Sequence, residues 1–146
     1  MTQTAPLPHR YTVSFTGGQL LAPPRAAIAA VPPTEIGGTD PVWSPEELLV
    51  AAALESLWTT VEAYAHRDAL TMRDWSGRGV ATLDRGPSGP TFTSIVLTVD
   101  FSVAKGDEVR ARRVLASAER HCPISNALRV PVVLEIKMHT HVPAAS

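Results

Sequence analysis

The chain of 146 residues is 45% apolar and 18% charged, a composition that supports one substantial core and excludes a disordered polar chain. Thirteen Lys and Arg stand against fourteen Asp and Glu, for a net charge of -1, so no basic field exists to attract nucleic acid. A single cysteine excludes a disulfide framework, and neither the opening MTQTAPLPHR nor the longest apolar run, LLVAAAL, provides a signal peptide or a bilayer span, which makes the cytoplasm the expected compartment.

One domain is expected over residues 1–146, with 1–9 and 142–146 as flexible tails whose proline and small polar residues have nothing to anchor them. In RYTVSFT, Tyr11, Val13 and Phe15 share one face at period two, which predicts a strand. Gly17-Gly18 reads as a tight turn into a second strand, QLLA. Residues 22–44 are rich in proline and glycine and are expected to hold one short strand near Arg25–Ala30.

The clearest helix follows. Ser44 fits the N-cap, Pro45 the first helical position, and Glu47 stands three residues past Ser44 to close a capping box. Every residue from Leu48 to Leu54 is apolar, so the helix has no polar face over two turns and is expected to be buried at the centre, ending near His66. Two strands are expected near Trp75–Leu83 and Thr91–Val103, joined by DRGPSGP, with Ile95, Leu97, Val99 and Phe101 on one face of the second. A second helix begins near Gly106-Asp107 and carries Ala111, Val114, Leu115, Ala118 and Cys122 at helical spacing, with Arg110, Arg112, Arg113 and Glu119 elsewhere. The last strand, VVLEIKMHTH, turns Val132, Leu134, Ile136 and Met138 inward. The order β-β-(β)-α-β-β-α-β places the chain in the α+β class with an antiparallel sheet.

Cys122 admits two readings. It lies on the apolar stripe of the second helix, and free cysteine is among the most buried residue types. Pro123, however, favours the first position of a new helical turn, which would put Cys122 at its N-cap among unpaired N–H groups that stabilise a thiolate, with Arg120 and His121 as added positive charge.

The pair SPEELLVAAALES and HCPISNAL resembles the OsmC/Ohr-like family of osmotically induced and organic hydroperoxide resistance proteins. The likeness covers roughly Gly37 to Val133, with the Gly-Gly hairpin besides. It implies an intertwined homodimer around a central helix, with sites at the dimer interface that reduce organic hydroperoxides through two cysteines, one attacking and one resolving. Carried over residue by residue, Cys122 falls on the resolving cysteine. Glu46 falls on the carboxylate that orients the family's arginine. The attacking cysteine falls on Ser56, and the arginine after the Gly-Gly turn falls on Gln19. Glu55 stands where the family has a small residue.

A serine hydroxyl has a far higher pKa than a thiol and no sulfenic-acid cycle, so Ser56 cannot replace an attacking cysteine. Either the chain has diverged or the serine was introduced, and the concurrent Gln19 and Glu55 favour divergence. The residues assigned to the site are Cys122, Ser56 and Glu46, although Glu46 also reads as a helix-start charge and Ser56 as a small residue in a tight interface. His139 and His141 share a strand face without a third ligand at readable spacing, and no nucleophile-elbow motif surrounds Ser56 to support a triad with His66. Trp43, Trp58 and Tyr64 read as core. No metal or cofactor is expected. Two functions stay open: thiol chemistry at Cys122 on hydroperoxides or other electrophiles, with an external thiol completing the cycle, or non-catalytic binding of a small apolar molecule in the interface pocket.

Overall fold

Gly17 and Gly18 carry the first turn with φ of 60° and 75°, the pair of positive values that a two-residue type I′ hairpin turn requires. They join β1 (Ser14–Thr16) to β2 (Gln19–Leu21), antiparallel with Ser14 opposite Leu21 and Thr16 opposite Gln19. The computed structural model describes residues 7–30, 32, 34, 37, 38 and 42–144, in two compact units, 1–48 and 49–146. Residues 1–6 and 145–146 of the expected tails, and part of the Pro- and Gly-rich segment, lie outside the described residues. In the first unit β3 (Ile28–Ala29) pairs antiparallel with β2. β1 is shorter than the alternation of Tyr11, Val13 and Phe15 predicts, because its partner strand extends only over Gln19–Leu21, leaving Tyr11 and Val13 unpaired and exposed.

Helix α1 (Pro45–Arg67) starts in the first unit and continues into the second. Its capping box is formed in both directions: the Ser44 N–H donates to Glu47 Oε2 at 2.9 Å, and the Glu47 N–H donates to Ser44 Oγ at 3.1 Å. At the other end the Leu70 N–H reaches the Ala65 carbonyl and the Ala69 N–H the His66 carbonyl, with Ala69 at φ 51°. This is a Schellman termination with alanine where glycine is usual. Burial along α1 follows one line at spacing four: Ala53, Leu57, Val61 and Ala65. The all-round apolar run continues as Leu49 to Ala52 and Leu54, which are half-buried in the single chain.

In the second unit β4 (Met72–Gly86) and β5 (Gly89–Ala104) form a long antiparallel hairpin. The chain then passes through α2 (Glu108–His121) and α3 (Pro123–Ala127) into β6 (Val132–His141), which pairs parallel with β5. The helical crossover brings the chain back to the same end of the sheet, and that geometry makes the last pairing parallel where an antiparallel one was expected. The sheet order is β4-β5-β6. Ile95, Leu97, Val99, Phe101 and Val103 alternate onto the inner face of β5 and pack in one buried cluster with the α1 line and with Ala111, Val114, Leu115 and Ala118 of α2. Both helices therefore cover the same face. The other face carries polar pairs, among them Thr98 with Glu135 at 3.1 Å and Asp100 with His139 at 2.9 Å.

Two glycines set how closely α1 approaches the sheet. A Cβ on Gly77 would lie 3.2 Å from Leu54, and one on Gly79 would collide with Val50 Cγ1 and meet Leu97 Cδ2 at 3.1 Å. Glycine inside a strand at this place marks close approach of another element. Among the described residues no helix is long and apolar enough to cross a membrane.

Candidate functional site

The chemistry concentrates where α2 stops. Pro123 has no N–H to continue α2 and restarts the chain as α3, so Cys122 serves both as the C-cap of α2 and the N-cap of α3, with φ -69° and ψ 112°. Its side chain is fully buried, at 0% exposure. The thiol donates to Ser56 Oγ at 3.2 Å, and its sulfur accepts from Ser125 Oγ at 3.4 Å. Ser56 comes from the middle of α1, where its carbonyl accepts the hydroxyls of Thr60 at 2.7 Å and Thr59 at 3.2 Å, while its own hydroxyl turns to the sulfur.

Burial pushes the Cys122 thiol up. The hydroxyls of Ser125 and Ser56 and the N–H groups of Ser125 and Ile124 outweigh that effect, and the thiol is held below its ordinary value. The expected cationic neighbours act elsewhere. His121 points Nδ1 at the Ser117 carbonyl at 2.7 Å and sets its ring in a tilted contact 5.6 Å from that of Tyr64, and Arg120 donates to Ser117 Oγ at 3.4 Å. Hydrogen-bond donors, not formal charges, therefore stabilise the thiolate here.

The structure thus brings Ser56 and Cys122 together. Glu46 lies in the first turn of α1, in the first unit, half-buried, with Oε2 lacking a hydrogen-bond partner among the described residues. Gln19 opens β2 in that unit and is exposed, and Glu55 is exposed on α1. Trp43 is 52% exposed, whereas Trp58 meets Trp75 in a tilted pair at 4.9 Å, and Trp75 stacks on the buried Phe101 at 5.5 Å. His139 is engaged by Asp100, and no group of three or more metal-ligating side chains forms among the described residues.

Sequence reasoning missed Ser125 and Glu119 as site residues. Ser125 is three positions past the N-cap, the spacing at which a helix-start side chain reaches back to its cap, and that spacing was the available signal. Both residues line a cavity of about 240 Å³ in the second unit, otherwise walled mainly by Leu57, Leu97, Val132 and Leu134. Ser125 thus lines the cavity and donates its hydroxyl to the sulfur.

The helix-covered sheet defines an α+β protein, with a buried, hydrogen-bonded cysteine at the junction of two helices. The sequence matches the OsmC-like protein family over residues 38–137, more than half the chain, and the chain belongs to that family. Its structure resembles an OsmC-like protein of Mycoplasma pneumoniae at 12% identity, covering 92% of this chain and 100% of that one, with a TM-score of 0.75. It resembles an organic hydroperoxide resistance protein of Elizabethkingia anophelis at 16% identity, with 92% and 100% covered and a TM-score of 0.72. The organic hydroperoxide resistance protein of Bacillus subtilis aligns at 19% identity, with 88% and 95% covered and a TM-score of 0.61. At these identities the likeness establishes the fold. No protein of curated function matches the sequence.

Proposed function

We propose that the protein belongs to peroxide detoxification and acts by single-cysteine thiol chemistry at Cys122 on organic hydroperoxides. The observation that carries this reading is the donor set around the sulfur, which lowers the thiol pKa despite full burial. Structural relatives named for organic hydroperoxide resistance supply the substrate class. In the first step the Cys122 thiolate attacks one oxygen of ROOH. The O–O bond breaks, the sulfur becomes sulfenic acid, and the alkoxide leaves and is protonated to ROH. An external low-molecular-weight thiol then displaces water from the sulfenic acid to give a mixed disulfide, and a second thiol releases Cys122 and the external disulfide. Ser56 acts in this scheme as a hydrogen-bond donor to the thiolate, and Glu46 takes no chemical step. A cytoplasmic setting, where small thiols stay reduced, suits the cycle.

The test is mass spectrometry of the protein treated with cumene hydroperoxide in the presence of a sulfenic-acid trap such as dimedone. An adduct at Cys122 is expected. Intact, unmodified Cys122 at excess peroxide would overturn the reading and leave the second one, non-catalytic binding of a small apolar molecule, which the largely aliphatic cavity favours.

A homodimer is part of the proposal. Leu49 to Ala52 and Leu54 form a largely apolar run that a single chain covers only in part, and a second copy of α1 against it is the arrangement that the family resemblance implies. Light scattering at micromolar concentration should return twice the chain mass of 15.6 kDa; a monomer mass would exclude the dimer.

A further inference from the structure

The cavity beside Cys122 has an uneven lining. Leu57, Leu97, Val132 and Leu134 make it aliphatic, Ser125 and Asn126 add neutral polar groups, and among the described residues Glu119 is the one charged side chain on its wall. Glu119 is exposed as well as lining the cavity, and it makes no ion pair among the described residues. Two further features add to the negative character of that end. Glu119 sits in the last turn of α2, whose macrodipole is negative there. Asn126 Nδ2 is spent on the Arg120 carbonyl at 3.0 Å, so that amide donor is not aimed at a ligand. The nearest guanidinium in sequence, Arg120, is turned to Ser117 Oγ. The volume of about 240 Å³ falls just below the range of drug-sized sites, roughly 300–1,000 Å³, and suits a compact molecule.

We infer that Glu119 is a specificity-determining residue: the cavity takes compact, apolar molecules that are neutral or cationic, and it turns away those bearing a carboxylate. The inference rests on the thiol-chemistry reading only in making this cavity the approach to the sulfur through Ser125. A carboxylate ligand placed against the rim would bring two like charges within several ångströms at partial solvent exposure, where the repulsion costs roughly tenfold in affinity.

The test uses two probes with one carbon skeleton, 4-isopropylbenzyl alcohol and 4-isopropylbenzoate, titrated into the full-length protein at neutral pH. Backbone amide shifts of Ser125, Asn126, Val132 and Leu134 report occupancy by NMR. The alcohol should shift these amides, and the benzoate should bind roughly tenfold more weakly. Glu119→Gln should close most of that gap without weakening the alcohol, and Glu119→Arg should reverse it. Equal affinities for the two probes in the unaltered protein would overturn the inference, as would a gap that persists in Glu119→Gln or shifts that miss the cavity residues. None of these readouts requires turnover, so an absent sulfenic acid at Cys122 would defeat the proposed chemistry while leaving the charge selection standing.

Discussion

Ser56 Oγ and Cys122 Sγ lie 3.2 Å apart although 66 positions separate them in the chain. One side chain rises from the middle of α1 and the other closes α2, and both meet over the same buried cluster. The contact gives the position carried over from the family's attacking cysteine a direct geometric partner.

Ser56→Cys should therefore create a disulfide. A sulfur replacing the hydroxyl oxygen would start near van der Waals contact with Cys122 and need move only about 1 Å to reach the bonded distance of about 2.05 Å. Treatment of this variant with cumene hydroperoxide should yield an intramolecular bridge, about 2 Da lighter than the reduced chain. Peroxide consumption should rise above that of the unaltered protein. Two free thiols after oxidation would separate Ser56 from the family's attacking position.

The depressed thiol gives a pH signature. Iodoacetamide alkylation of Cys122 should have a midpoint below the free-cysteine value of about 8.5, because the Ser125 and Ser56 donors outweigh burial. Ser125→Ala removes one donor and should move the midpoint up. For stability the sign follows from the direction of the shift. A folded pKa below the unfolded one gives stability that is fully present above the unfolded value and is lost as pH falls through the folded value. The stability advantage over Cys122→Ala should thus grow as pH rises through the folded value and level off above the unfolded value of about 8.5. A midpoint above the free-cysteine value would show that desolvation governs the thiol.

Local signals in the sequence were the legible ones. Ser44, Pro45 and Glu47 announced the start of α1 because capping chemistry acts within four residues, and Pro123 announced the restart at Cys122 because a missing N–H is a local fact. The alternation through Ile95 to Phe101 was legible for the same reason. Non-local choices were not. The parallel seating of β6 depends on where a crossover delivers the chain, and the contraction of β1 depends on how far its partner extends. The donors to the sulfur were hidden too: Arg120 and His121 stand beside Cys122 in sequence, yet their side chains serve Ser117 while Ser125 reaches back. The end of α1 carried no glycine to mark it.

That last feature supplies a stability test. Ala69 holds φ 51° at the Schellman turn, where a Cβ is penalised by roughly 1–2 kcal/mol. Glycine removes the penalty but gives back part of it through a more flexible unfolded chain, roughly 0.4–1 kcal/mol. Ala69→Gly should raise the urea midpoint by the equivalent of about 0.5 kcal/mol with an unchanged slope, and Ala69→Val should lower it. A lower midpoint for the glycine variant would contradict the left-handed assignment at this residue.

Gly79 tests the packing that brings α1 onto the sheet. An added Cβ there would overlap Val50 Cγ1, press on Leu97 Cδ2 at 3.1 Å and touch Leu54 Cδ1 at 3.4 Å. Its backbone lies outside the left-handed region, so alanine carries no conformational penalty and should slightly stiffen the strand. Steric conflict must then decide the outcome, and Gly79→Ala should destabilise by about 1–3 kcal/mol. Val50→Ala alone should cost about 1–2 kcal/mol for a half-buried side chain. Because the valine methyl is what the new Cβ meets, the double variant should be more stable than the sum of the two losses predicts, with a coupling of about 1 kcal/mol or more. Strict additivity in urea unfolding would mean that α1 does not cross β4 over Gly79.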